Sequence, residues 1–378
     1  MRPVTRNPNP PYNIPATIQI KRQSTRTLLA KQNISPSSGK ATYNMAVLLK
    51  FLEDATYFNG GEAGWGKLNK DQAMLVNQLV SIFTSSGTVG YGNARGALLA
   101  NFGQLCDYCE MPVQDSSLAV EHILPKAQFP GYMLTYQNFF LACPVCNSVK
   151  GSKPTYTTCK NWAIKQQGIS VPNYVQVQGG GFNSITWPTG DDAMTSFSLD
   201  LYQANNNIIP RTNSLNIDNT YAGTVNNEVW ANINGAPSKI VVKSKFASNG
   251  AGVDKLRRDN LLNLVNLNNT VAGEFADRRV TNRTIAWLQA IAASKKLNLA
   301  FANDPTNDKS FYKLILQQVT ETVQSAGYFT TWAFIFYNFS PPLNNQWSYY
   351  TFLRINATNP AEASYYIPGT NAAGLPTT

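Results

Sequence analysis

The chain has 378 residues, 43% hydrophobic and 11% aromatic, a globular composition that excludes a disordered or low-complexity protein. Only 14% of residues are charged, yet the formal net charge is +10, which suits a polyanion partner without requiring one. No apolar run reaches the roughly 18 to 20 residues of a membrane span. No apolar segment follows the first basic residues either, so a cytoplasmic, reducing setting with no membrane partner is expected.

Residues 1–42 read as a basic N-terminal arm. Up to Leu52 there are Arg2, Arg6, Lys21, Arg22, Arg26, Lys31, Lys40 and Lys50, and no acid. Such an arm lies on phosphates by counterion release, drapes over a core, or docks a partner. Residues 43–105 read as helical. Met45, Leu48, Leu49 and Leu52 mark one face over Tyr43–Tyr57. A glycine-rich break follows at Gly60 to Gly66. Met74, Leu75, Leu79 and Phe83 mark a second helix over Asn69–Phe83, with Asn69 as N-cap. A third helix is expected over Asn93–Leu105.

Residues 106–160 carry the chemistry. Two C-x-x-C pairs, Cys106/Cys109 and Cys143/Cys146, hold four of the five cysteines. Four thiolates at such spacing form a closed tetrahedral zinc site with no open position, hence a structural one. Cys159 is left over and is read as a buried or idle thiol. The pairs are separated by 33 residues, against roughly 15 to 20 in common zinc loops. The insert contains His122, the only histidine of the chain. Leu118–Ile123 alternates like a strand that Pro125 ends, and Phe139–Ala142 reads as its return. Pro144 suits the first turn of a helix carrying Cys146, Asn147 and Lys150, with Gly151 as its stop.

Residues 161–252 are Asn- and Gly-rich, with strand-like runs at Tyr174–Val177, Ser196–Tyr202 and Lys239–Lys243; Trp162 reads as a packing anchor. Residues 253–378 read as a helical, aromatic-rich region. Val253–Lys296 shows one apolar face, and Phe311–Val323 a further helix. Arg278, Arg279, Arg283, Lys295 and Lys296 form a second basic cluster, either a solvated helix face or a ridge facing DNA. Trp332, Phe334, Phe336, Tyr337, Trp347, Tyr349, Tyr350 and Phe352 read as core or as a partner-binding surface.

The order C-x-x-C, Glu-His, Asn, C-x-x-C-Asn, Lys-Gly resembles the HNH (ββα-metal) endonucleases with a four-cysteine zinc knuckle. The segments MRPVTR, CDYCE, VEHILPK and CPVCNSVKG narrow the resemblance to PtuB-like HNH nucleases of Septu anti-phage systems. That resemblance implies an α+β fold: a ββα-metal core stapled by zinc, flanked by mainly helical regions and a small β-rich segment. It implies His122 as general base, Asn138 as loop brace, and Glu121 and Asn147 as ligands of a catalytic metal. Glu stands where Asp is common, and Asn where a closing His is common. Lys150 is expected to face a phosphate, with Lys126 and Lys153 as further phosphate contacts. A carboxylate and an amide oxygen are hard donors, so Mg²⁺ or Mn²⁺ is expected beside structural Zn²⁺. The implied activity is phosphodiester hydrolysis on nucleic acid, DNA foremost, gated by a partner such as an ATPase. The alternative is a non-catalytic zinc-knuckle module that binds DNA or protein.

Overall fold

The computed structural model describes residues 14–53, 69–85, 90–127, 129–154, 262–269, 277–305 and 310–339, with the backbone of seven strands between 177 and 244. The opening MRPVTR, the break at Gly60 to Gly66, Cys159, Trp162 and the aromatic run from Trp347 lie outside these residues.

An N-terminal lobe forms first. Strand β1 (Thr17–Gln19) pairs antiparallel with β2 (Thr42–Asn44), and α1 (Gln23–Lys31) lies between them in sequence. Two helices complete the lobe, α2 (Met45–Glu53) and α3 (Lys70–Ser85). Tyr43, expected on a helix, is in β2. The helix starts only at Met45 because Asn44 Oδ1 accepts from the Ala46 and Val47 amides, at 2.9 and 3.3 Å, and so caps it. Asn69 caps α3 reciprocally: its Oδ1 accepts from Gln72 N at 2.8 Å, and Gln72 Oε1 accepts from Asn69 N at 3.2 Å. Ile18, Ile20, Leu28 and Leu29 pack with Leu48, Leu52, Leu75, Leu79 and Phe83 in one core. From Ile14 onward the stretch expected as an arm is therefore part of this lobe. Its apolar residues point inward, while Lys21 and Arg22 stay exposed.

A 3₁₀ turn (Tyr91–Ala94) leads into α4 (Arg95–Phe102), which stops at Gly103, short of the expected Leu105. Then come β3 (Ala119–His122), β4 (Phe139–Ala142) and α5 (Pro144–Lys150). The two strands pair antiparallel, from Ala119 opposite Ala142 to His122 opposite Phe139. Pro144 sits in the first turn of α5, where its missing N–H leaves no bond unmade. Gly151, at φ +50°, ends the helix and donates its N–H to the Asn147 carbonyl at 2.9 Å.

Further on, β5 (Val177–Gln178) pairs with β6 (Gly181–Phe182). Five more strands form an antiparallel sheet: β7 (Phe197–Gln203), β8 (Ile208–Ile209), β9 (Tyr221–Val225), β10 (Glu228–Ile233) and β11 (Ala236–Ser244), in the order β8-β7-β11-β10-β9. The long helix α6 (Arg279–Asn303) lies on this sheet, where Thr284 Oγ1 accepts from Ile240 N at 3.0 Å. Helices α7 (Ser310–Ala326) and α8 (Phe329–Phe339) follow. Trp287, Trp332, Tyr328 and Phe329 share one buried core with Tyr108, Phe139, Phe140 and Leu141 of the cysteine unit. Hydrophobic burial thus joins the C-terminal helices to the hairpin directly.

Two members of the second basic cluster are neither ridge nor solvated face. Arg279 and Arg283 are buried, whereas Arg278, Lys295 and Lys296 are exposed. The junction between α7 and α8 also presses on the first knuckle. Tyr328 N donates to Glu110 O at 3.0 Å, and a Cβ at Gly327 (φ +68°) would lie 2.5 Å from that same oxygen. Among the described residues, no helix is long and apolar enough to cross a membrane.

Candidate active site and zinc centre

All four cysteines of the two C-x-x-C pairs are buried, and their sulfurs lie within 4.8 Å of one another. Cys109 Sγ and Cys143 Sγ are 3.8 Å apart. That is far beyond a disulfide bond. It is the edge of a tetrahedron with Zn–S bonds of about 2.3 Å, which works out at about 3.8 Å. The donor set therefore fits Zn²⁺. Part of the site is fastened without any ion. Asp107 bridges the knuckles, donating its amide to Leu141 O at 2.8 Å and accepting from Leu141 N on Oδ2 at 2.7 Å. Cys143 is the N-cap of α5, its sulfur accepting from Cys146 N at 3.4 Å. Burial pushes the Cys106 and Cys109 thiols well up, while hydrogen bonds from the other three cysteines hold Cys143 far below its ordinary range. A metal binds the sulfurs as thiolates, so its entry into the cluster releases protons.

Between the knuckles, Asn138 is fully buried and spends its amide on backbone. Its Oδ1 accepts from Leu124 N at 2.8 Å, and its Nδ2 donates to Leu124 O at 3.1 Å and Tyr132 O at 3.0 Å. These bonds close the loop that joins β3 to β4. His122 ends β3, and its Nε2 lies 2.9 Å from Met133 O in the same loop. A carbonyl can only accept, so in the neutral ring Nε2 carries the proton and Nδ1 keeps the lone pair. The ring stands edge-on to Tyr91 at 4.5 Å and to Phe139 at 5.1 Å between centroids. Burial pulls its pKa down from the usual 6.5 to about 4.

Glu121 precedes His122, and alternation along β3 sends the two side chains opposite ways. The Glu121 carboxylate meets α5, where Lys150 Nζ donates to Oε1 at 2.5 Å and to the His122 carbonyl at 2.6 Å. Lys150, expected to face a phosphate, is completely buried and turned inward. Burial raises the Glu121 pKa despite that ammonium, and burial lowers the pKa of Lys150. Two oxygen acceptors thus converge on one cationic group, which marks the place as a seat for positive charge. Asn147 is half-buried on the same helix, one turn before Lys150. Lys126 lies over the Tyr91 ring at 4.6 Å and donates to its hydroxyl at 3.1 Å; Lys153 is exposed beyond α5.

Several participants were not read from the sequence. Tyr91 arrives from the turn before α4, and Met133 acts through its carbonyl, which no side-chain pattern reveals. Asp107, inside the first C-x-x-C, was visible, but its partner lies 34 residues away. A cavity of about 670 Å³ between α6, α7 and α8, lined by Leu299, Phe311, Ile315 and Trp332 among others, touches none of these residues.

The HNH endonuclease family matches residues 106–153. The Septu protein PtuB of Bacillus thuringiensis is 31% identical over 90 residues, which cover 23% of this chain and 34% of that protein, about a third of its length. No solved structure matches. Residues 106–153, a hairpin and helix that bring four cysteines together, thus match the HNH endonuclease family, and the chain that carries them resembles PtuB.

Proposed function

We propose that the protein is a metal-dependent nuclease that hydrolyses phosphodiester bonds of DNA, and that it acts in anti-phage defence under the control of a partner, an ATPase as the resemblance to PtuB suggests. The observation that carries this reading is the setting of His122. A ring with a pKa near 4 is neutral at physiological pH, and its Nε2 bond to Met133 O leaves the Nδ1 lone pair to accept a proton from an attacking water. Tyr91 and Phe139 hold the ring against rotation. Asn138 fixes the loop that carries the Met133 carbonyl, so it positions the base through backbone.

Glu121 and Asn147 would hold Mg²⁺ or Mn²⁺, which when bound supplies positive charge to the phosphate and the leaving oxygen. Because β3 turns the Glu121 and His122 side chains opposite ways, this reading requires the end of the strand to rearrange for both to reach one phosphate. Lys150 keeps the Glu121 carboxylate in place on its strand. Lys126 and Lys153 are the candidate contacts to phosphates on either side of the scissile bond. The net charge of +10 favours a polyanion in general and adds no base specificity. The protein would be cytoplasmic.

A specific observation favours a second reading, a non-catalytic zinc-knuckle module. Glu121 is already engaged by the Lys150 ammonium, and His122 is only 5% exposed. If that pair is permanent, no second ion enters. The test is cleavage of supercoiled plasmid with Mg²⁺ or Mn²⁺, alone and with a candidate partner ATPase added, against His122→Ala. The nuclease reading expects nicking or linearisation that His122→Ala abolishes while zinc content is kept. Equal action by wild type and His122→Ala, together with no Mn²⁺ binding, would establish the non-catalytic module instead.

A further inference from the structure

We propose that the C-terminal helical region is clamped to the zinc centre by Arg279, so that zinc loading and the docking of α6 form one linked equilibrium. This rests on the reading of the four cysteines as a zinc site and adds a role for a helix 133 residues further along the chain.

A guanidinium has five N–H donors in a fixed plane. Arg279 uses all five while only 1% exposed. Nε donates to Asp277 Oδ1 at 2.8 Å, and Nη2 to Asp277 Oδ2 at 2.7 Å and Asn266 O at 3.0 Å. Nη1 donates to Val265 O at 2.7 Å and to Cys146 Sγ at 3.3 Å. Four of these bonds organise the start of α6 and the turn before it. The fifth leaves that region altogether and ends on a sulfur of the second knuckle.

The chemistry of that sulfur explains the arrangement. A zinc ion with four thiolates carries a formal charge of −2, and a buried dianion needs donors and cations around it. N–H donors to coordinating sulfurs orient the ligands and hold their charge, as outer partners of metal sites do in general. Among these donors only Arg279 reaches a cysteine sulfur, and helix α6 brings a further buried cation and a further donor close by. Arg283, one turn on, is also buried, with its Nη1 on Ile240 O at 3.3 Å. Asn282 Nδ2 approaches Met111 Sδ, next to the first knuckle, at 3.9 Å. The start of α8 holds that same knuckle: Thr330 donates to Glu110 through N at 2.8 Å and Oγ1 at 2.6 Å. The C-terminal helices therefore grip both halves of a unit that the ion joins. Losing the ion leaves the halves joined by the Asp107–Leu141 bonds and loosens the hold on the helices; losing the grip exposes the thiolates to protons and chelators.

The full-length protein is tested in two ways. Zinc affinity and release to a chelator are compared among wild type, Asp277→Asn, and the double variant Arg279→Met with Asp277→Asn, which leaves no lone buried carboxylate. Zinc affinity of the double variant should fall roughly 10- to 100-fold, the usual effect of losing an outer partner of a metal ligand. The sulfur-to-metal absorption of the cobalt(II)-substituted form should shift as well, whereas Asp277→Asn alone should stay near wild type. Independently of any variant, hydrogen exchange is followed on wild type before and after zinc is stripped. Amides at the start of α6 should lose protection together with those of the two knuckles. Wild-type zinc affinity and cobalt spectrum in the double variant would overturn the clamp; so would full protection of α6 after stripping, should the double variant fail to fold. A wild-type protein that purifies without zinc and takes up none would instead sink the zinc reading itself, a separable failure.

Discussion

Replacing Asn138 by alanine isolates what a loop brace is worth. The side chain has no exposure and makes three hydrogen bonds, all to backbone: Leu124 N, Leu124 O and Tyr132 O. Alanine leaves one N–H and two carbonyls without that partner inside the protein. A lost intramolecular bond costs about 1 kcal/mol net, and a buried orphan about 1–3 kcal/mol. Taking about 1 kcal/mol for each group gives a loss near 3 kcal/mol, a large part of the 5–15 kcal/mol of a typical domain. For a cooperative unit of about 150–250 residues that lowers Tm by roughly 6–12 °C. Asn138→Asp should be no better. It can still accept from Leu124 N, but it turns an oxygen toward two carbonyl oxygens that now receive donors. The assay is thermal and urea unfolding of the zinc-loaded protein beside plasmid cleavage. Both variants should lose stability and cleavage together. Unchanged Tm with cleavage abolished would refute the brace and place Asn138 on the substrate or the metal.

Three further outcomes follow from the same coordinates. The His122 pKa, near 4 when folded and about 6.5 when free, means that the unfolded chain binds the extra proton between those values. The contribution of His122 to stability is thus full above about pH 6.5 and falls away toward pH 4, by on the order of 3 kcal/mol. The acid limb of kcat/KM should lie below pH 5, and a limb at 6.5 would show a solvated ring. Cys106→Ser removes one of four buried sulfurs and should yield zinc-free, poorly soluble protein, since metal binding is folding free energy in such sites; a soluble variant with full zinc content would contradict that. Gly327→Ala must hold φ +68° and place a methyl group 2.5 Å from Glu110 O, so thermal unfolding should show at least about 2 kcal/mol of loss. Wild-type stability would mean that α8 does not dock on the knuckle.

What the sequence made legible was local. Pro144, Gly151 and the apolar alternation before Pro125 placed the strands and helix of the hairpin unit to within a residue or two. Each is a constraint written into one residue's own backbone. Asn69 announced its helix for the same reason, because a cap and its Gln72 partner are three residues apart. The basic stretch before Leu52 left phosphate contact, draping over a core and partner docking all open, because charge alone is a property of the segment and not of its faces. Ile18, Ile20, Leu28 and Leu29 are set between the basic residues, so one short strand and one helix turn the first kind inward and leave Lys21 and Arg22 outside.

The site divides along the same line. Thiol spacing picked out the four clustered cysteines because two sulfurs three residues apart can face one ion whatever surrounds them. Lys150 and the arginines of α6 could not be placed in that way. A lysine after a zinc knuckle reads as a phosphate contact until Glu121 is known to lie beneath it. An Arg-rich helix reads as surface until buried sulfur is found at its start. In both cases a long cationic side chain crosses from its own element to an acceptor 29 or 133 residues away. Burial of such a group is tolerable because acceptors surround it, Glu121 for Lys150 and Asp277, two carbonyls and the Cys146 sulfur for Arg279, since an unpaired buried charge would cost several kcal/mol. The sequence shows the cation alone; the fold, by supplying the acceptor, decides whether it faces solvent or holds the molecule together.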